Sequence, residues 1–140
     1  VIGDLFRAAG NGLVRVVGDG GNRWPLVYQR DLADLYVRLA VHDTASGIFH
    51  ANDEGDERVN DIVAAVGGHL PSPPDVRHLP LDEARGRLGA QAEALSLDQV
   101  VRSPRARALG WAPSLRSVGG SIARLHGEWR AARALSELVH

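Results

Sequence analysis

Few residue types in this chain can do chemistry. Cys and Lys are both absent from the 140 residues, and all 16 basic residues are Arg. Without Cys there is no disulfide, thiolate nucleophile or thiolate metal ligand. Without Lys there is no Schiff base, no P-loop lysine and no Tyr/Lys proton-transfer pair. No Ser stands in a G-x-S-x-G turn, so a nucleophile elbow is also excluded. His42, His69, His78, His126 and His140 show no H-E-x-x-H or related metal spacing and read as unpaired surface residues. His50 sits in an apolar run and reads as a hydrogen-bonded core residue. What remains is a glycine-containing turn, Gly18-Asp19-Gly20-Gly21, followed by Asn22, Arg23, Trp24 and then Tyr28. These last four are the candidate contacts for a small ligand. Arg23 offers a planar fork suited to carboxylate or phosphate. A purely structural reading stands beside this one, with Trp24 packed in the core and Arg23 solvated.

The elements that would hold these residues follow from periodicity. Ile2, Leu5, Phe6 and Ala9 form a helical stripe that stops at Gly10-Asn11-Gly12. Leu13 to Val17 is β-branched and bounded by glycines, which predicts a strand. A helix from Arg30 or Asp31 to Val41 presents Leu32, Leu35, Tyr36 and Leu39, and Asp31 is the better N-cap chemically. Gly47 to Ala51 reads as a buried strand. Asn60 caps a helix over 61–66, ended by Gly67-Gly68. Val76 to Leu79 is a strand, Leu81 to Leu88 a helix stopped by Gly89, and Ala90 to Leu95 another helix. Ser103-Pro104 has the N-cap and first-turn pattern of a short helix ending at Gly110. A last helix is expected from Ser114 to Leu138, weak at Gly119-Gly120, with Ile122, Leu125, Trp129 and Ala132 on its apolar stripe. Strands and helices alternate, so the fold class is α/β or α+β. About four strands make a thin sheet for a complete domain.

Composition narrows the function classes. The net charge of −1 gives no global field for nucleic acid or an anionic membrane, and 5% aromatic content offers no stacking platform for single strands. No apolar run approaches the roughly 20 residues of a membrane span. The first residues carry Asp4 and Arg7, which is not a signal-peptide layout, and a cytoplasmic location is the default expectation. Arg, Ala and Gly enrichment without Lys or Met points to a GC-rich, bacterial coding bias, and Val1 to an alternative start codon or, favoured here, a cut or a truncated reading frame.

The order of several segments resembles the extended and atypical short-chain dehydrogenases/reductases, and within them the NAD(P)-dependent epimerases/dehydratases. Gly18 to Asp34 is similar to their glycine turn followed by a V-H-V-D-D-L-A strand and helix. Tyr28 stands at the usual His, Gln29 at the apolar residue and Arg30 at the first Asp, and Asp31-Leu32-Ala33 matches directly. Gly47-Ile48-Phe49-His50-Ala51 resembles the strand that completes the family's nucleotide-binding sheet. Arg105 to Pro113 is similar to its A-x-x-L-G-W-x-P element, in which Trp111 plugs the core after a Gly110 C-cap.

This resemblance implies that residues 1–140 are one domain, the C-terminal substrate-binding lobe plus the last strand and helices of a Rossmann-type fold. The family's Gly-rich dinucleotide fingerprint has no counterpart here. Tyr28 and Tyr36 are followed four residues on by Leu32 and Ala40, so neither is the Tyr of a Tyr-x-x-x-Lys pair. The implied role is therefore substrate recognition through Asn22, Arg23, Trp24 and Tyr28, with no catalytic residue, no metal and no cofactor held by this chain alone. NAD(P) is implied for a full-length relative. Many sugar-nucleotide epimerases carry an Arg seven residues before the second Asp, an offset that falls here on Trp24, which argues against a nucleotide-diphosphate substrate. The alternative is a free-standing ligand-binding or dimerisation module. It would form a homo-oligomer or pair with a separate nucleotide-binding half.

Overall fold

The structure is a computed structural model that describes residues 1–138; His140 lies outside them. It is a mixed α/β fold. Helix α1 (Ile2–Gly10) buries Phe6 and Ala9, and Gly12 at φ +84° turns the chain into strand β1 (Leu13–Val17). A long crossover containing α2 (Gln29–Ala40) and α3 (Val59–His69) leads to β2 (Asp75–Leu79), which pairs in parallel with β1. Then come α4 (Leu81–Leu88), α5 (Gln91–Ser96), α6 (Pro104–Ala108), a 3-10 turn at Gly119–Ser121 and α7 (Ile122–Leu138).

Alternation along β1 divides the apolar residues between two sides. Val14 and Val16 face α1, α3, Val118 and Ile122, while Val17 faces the other way onto Leu79, Ala84 and Ala92. A third cluster gathers Leu35, Ala106 and Trp111, with Trp111 only 1% exposed. Leu125 and Trp129 dock α7 on the first cluster.

Several sequence expectations need correction. Gly47–Ala51 is irregular chain, with Gly47 at φ +83° and no strand pairing among the described residues; Ile48 is 75% exposed and His50 is exposed. Among the described residues the two-stranded sheet lies elsewhere, and no strand covers this segment. Its Ser46 and Ile48 carbonyls instead accept from the Arg105 guanidinium at 2.6 and 2.7 Å, which also lies over the Phe49 ring. Asn60 is inside α3, not its cap, and α3 runs through Gly67-Gly68 to His69, where a Cβ at Gly67 would lie 3.3 Å from the Pro74 ring. Asp31 is the third residue of α2 and does not cap it. The Ser103 hydroxyl accepts from the Asn52 amide at 2.9 Å instead of capping α6. The last helix starts at Ile122, after the 3-10 turn. Three histidines are not unpaired: His69 and His126 share a hydrogen bond of 3.1 Å, and His78 bonds the Asn60 amide at 3.0 Å. Burial, then the neighbouring His69 and Arg130, lowers the His126 pKa.

Candidate functional site

The turn at 18–24 is built to hold another segment in place. Gly20 has φ +71°, and a Cβ there would collide with the Asn60 amide. Asn60 locks the turn from α3, donating its side chain to the Asp19 carbonyl at 2.8 Å and its backbone N–H to the Gly20 carbonyl at 3.0 Å. Arg58 also donates to the Gly21 carbonyl. The turn's far end clamps residues 95–99. The Asn22 amide donates to the Leu95 and Leu97 carbonyls at 2.9 and 3.0 Å, and the Trp24 indole N–H donates to Leu95 at 3.0 Å. Arg23 makes a forked ion pair with Asp98, at 2.8 Å from Nε and 2.7 Å from Nη2. The bonds from the Arg23 side chain and backbone hold the Asp98 carboxyl down at about 2.

Three of the four candidate residues are therefore brought together, with their polar atoms facing the 95–98 segment. Trp24 also borders a groove of about 560 Å³. All five residues of β1, Leu13 to Val17, line it, so both faces of the strand contribute. Asp4, Leu5 and Ala8 of α1 form one wall. Leu88, Gln91 and Leu95 form the other, with Arg87. The volume falls in the range of small-ligand sites, roughly 300–1,000 Å³. Arg15 escaped attention in the sequence; the signal for it is a charged residue set between Val14 and Val16 in a strand.

Tyr28 is elsewhere, bordering a second cavity of about 330 Å³ between α1 and α7. Its hydroxyl donates to Glu128 at 2.8 Å and accepts from Arg124 at 3.2 Å. The bond from Tyr28 foremost lowers the Glu128 pKa; burial opposes it, and Arg124 and Arg30 add to the lowering.

Carboxylates fasten the chain between α6 and α7. Asp31, only 6% exposed, accepts from the Ser114 amide at 2.9 Å, the Ser114 hydroxyl at 2.6 Å and the Leu115 amide at 3.1 Å. Burial pushes its pKa up, but the bonds from Ser114 and Leu115 together outweigh it, and the net shift is downward. Glu57 accepts from the Val118 and Gly119 amides and the Ser117 hydroxyl at the start of the 3-10 turn. Asp53, 4% exposed, is pushed up to about 6, chiefly by burial, against the opposing bond from the Gly55 amide. Among the described residues no group of three or more His, Asp or Glu is placed to hold a metal, and no helix is long and apolar enough to cross a membrane.

The fold defined by these elements has a counterpart among solved structures. The crystal structure of the human epimerase family protein SDR39U1, isoform 2, with NADPH, superposes with a TM-score of 0.69 at 20% identity. The match covers 85% of this chain and 40% of that one. At this identity the likeness is one of fold. No protein-family model matches the sequence. The uncharacterized protein C2A9.02 of Schizosaccharomyces pombe is 32% identical over 108 residues, or 76% of this chain and 36% of its own length. The chain thus spans less than half the length of both proteins.

Proposed function

We propose that this chain is the substrate-facing lobe of an NAD(P)-dependent oxidoreductase of the epimerase/dehydratase type. In this reading it shapes the substrate site, and the dinucleotide and proton-transfer groups come from outside these 140 residues. The observation that carries the reading is the fold shared over most of this chain with under half of an NADPH-bound epimerase family protein. The Gly47–Ala51 segment, patterned in the sequence as a strand, supports it. Ile48 is exposed and the segment pairs with no strand among the described residues, as fits a segment whose neighbouring strand comes from elsewhere. Asn22, Arg23 and Trp24 serve the site by fixing the 95–98 segment that walls the groove. Tyr28 serves it by tying α2 to α7.

Fusion of this chain behind the dinucleotide-binding part of its structural neighbour tests the reading. The fusion is expected to bind NADPH and to protect the Ile48–Ala51 amides from hydrogen exchange. NADPH binding with those amides still exchanging freely would contradict it. A second reading, a free-standing ligand-binding or dimerising module, draws support from the groove, whose floor and both walls come from this chain alone. It predicts a stable homo-oligomer with ligand affinity and no gain from the fusion.

A further inference from the structure

We infer that the groove over β1 takes an amphipathic anion: a largely apolar molecule ending in a single carboxylate, with the carboxylate on Arg15. The inference rests on the reading above and names the substrate class of that lobe. Leu13, Val17, Leu5, Leu88 and Leu95 make the surface of the groove predominantly apolar. Apart from the Gln91 amide, its neighbouring polar groups are already engaged. The Asn22 amide and Trp24 indole serve carbonyls of the 95–97 segment. Asp4 pairs with Arg7 at 2.9 Å, and Arg87 with Glu83 at 3.1 Å. Arg15 differs: among the described residues no carboxylate or carbonyl accepts from it.

The register adds a second, independent observation. Arg15 lies directly beside Arg77 on the parallel partner strand, and Arg77 also has no acceptor among the described residues. Like charges side by side on one sheet face repel, and an anion bound there relieves that repulsion. A guanidinium accepts a carboxylate in a forked, two-bond geometry. A sugar or sugar nucleotide fits poorly, because its hydroxyls would leave water for Leu and Val side chains without replacement hydrogen bonds.

Octanoate, 1-octanol and UDP-glucose are the probes, titrated into the 140-residue chain and followed by amide and indole chemical shifts. Octanoate is expected to shift Arg15, Val17, Leu95 and the Trp24 indole. Arg15→Gln is expected to weaken octanoate about tenfold while leaving octanol nearly unchanged; Arg15 is exposed, so the variant keeps its fold. Equal octanoate affinity in Arg15→Gln, UDP-glucose binding at the groove, or no binding by either anion would each overturn the inference. The fusion experiment fails or succeeds independently. Arg15-dependent octanoate binding beside a fusion that ignores NADPH would sink the parent reading and leave the site standing.

Discussion

Asp31 and Asp53 show how one residue type is used in two opposed ways. Asp31 is buried with three donors, so removing it strands the Ser114 and Leu115 amides and the Ser114 hydroxyl. Asp31→Ala is expected to cost about 2–4 kcal/mol, read as a lower urea midpoint at unchanged slope. An unchanged midpoint would mean that water replaces those bonds freely. Asp53 is buried with fewer donors, and its carboxyl rises to about 6. Between its unfolded value near 4 and its folded value near 6, the folded chain binds more protons than the unfolded one. Stability should therefore fall as pH rises through this window, and the penalty should be fully present above it. Asp53→Asn keeps an acceptor for the Gly55 amide and removes the ionisation. Its stability is expected to lose that slope and, at pH 7–8, to exceed the parent's by about 1–3 kcal/mol. Urea melts at pH 4.5 and 7.5 decide it: a slope unchanged in Asp53→Asn would assign the titration to another group.

At the scale of elements, the turn at Gly20 is the joint between α3 and the groove wall. Gly20→Ala demands a left-handed backbone with a Cβ and displaces the Asn60 amide, which also serves Asp19 and His78. The expected loss is about 2–3 kcal/mol, with increased exchange at the amides of the 95–98 segment. Thermal melts and hydrogen exchange check both. Elements whose pattern is local were readable from the sequence. Leu13–Val17 is β-branched between glycines and is β1, and Leu81–Leu88 ends at Gly89 as α4 does. What could not be read depends on neighbours. Gly47–Ala51 has the composition of a buried strand, but burial needs a partner that no local pattern supplies. Asn60 has the chemistry of a cap, yet tertiary bonds to Asp19 and His78 draw it inside α3. For the site, the turn at 18–24 was legible from its glycines and polar residues. Its use as a clamp was not, because Leu95, Leu97 and Asp98 lie more than 70 positions away, as the paired residue numbers show.

The whole molecule combines a groove formed from its own elements with a segment, Gly47–Ala51, that no strand among the described residues covers. Lacking Lys, it has no Tyr/Lys pair to move a proton, and among the described residues no glycine turn follows a strand and opens a helix in the way that cradles a pyrophosphate. The Gly18–Asn22 turn shows this most clearly: it runs on into the clamp at Arg23 and Trp24, and the helix that follows begins only at Gln29. Under the proposed function, substrate shape is carried here and cofactor chemistry elsewhere. The most direct test is calorimetric titration of the purified 140-residue chain with NADPH and with NADH. The account predicts no binding of either up to millimolar concentration. Micromolar binding of either cofactor would contradict it, because a dinucleotide site would then be built from these residues alone.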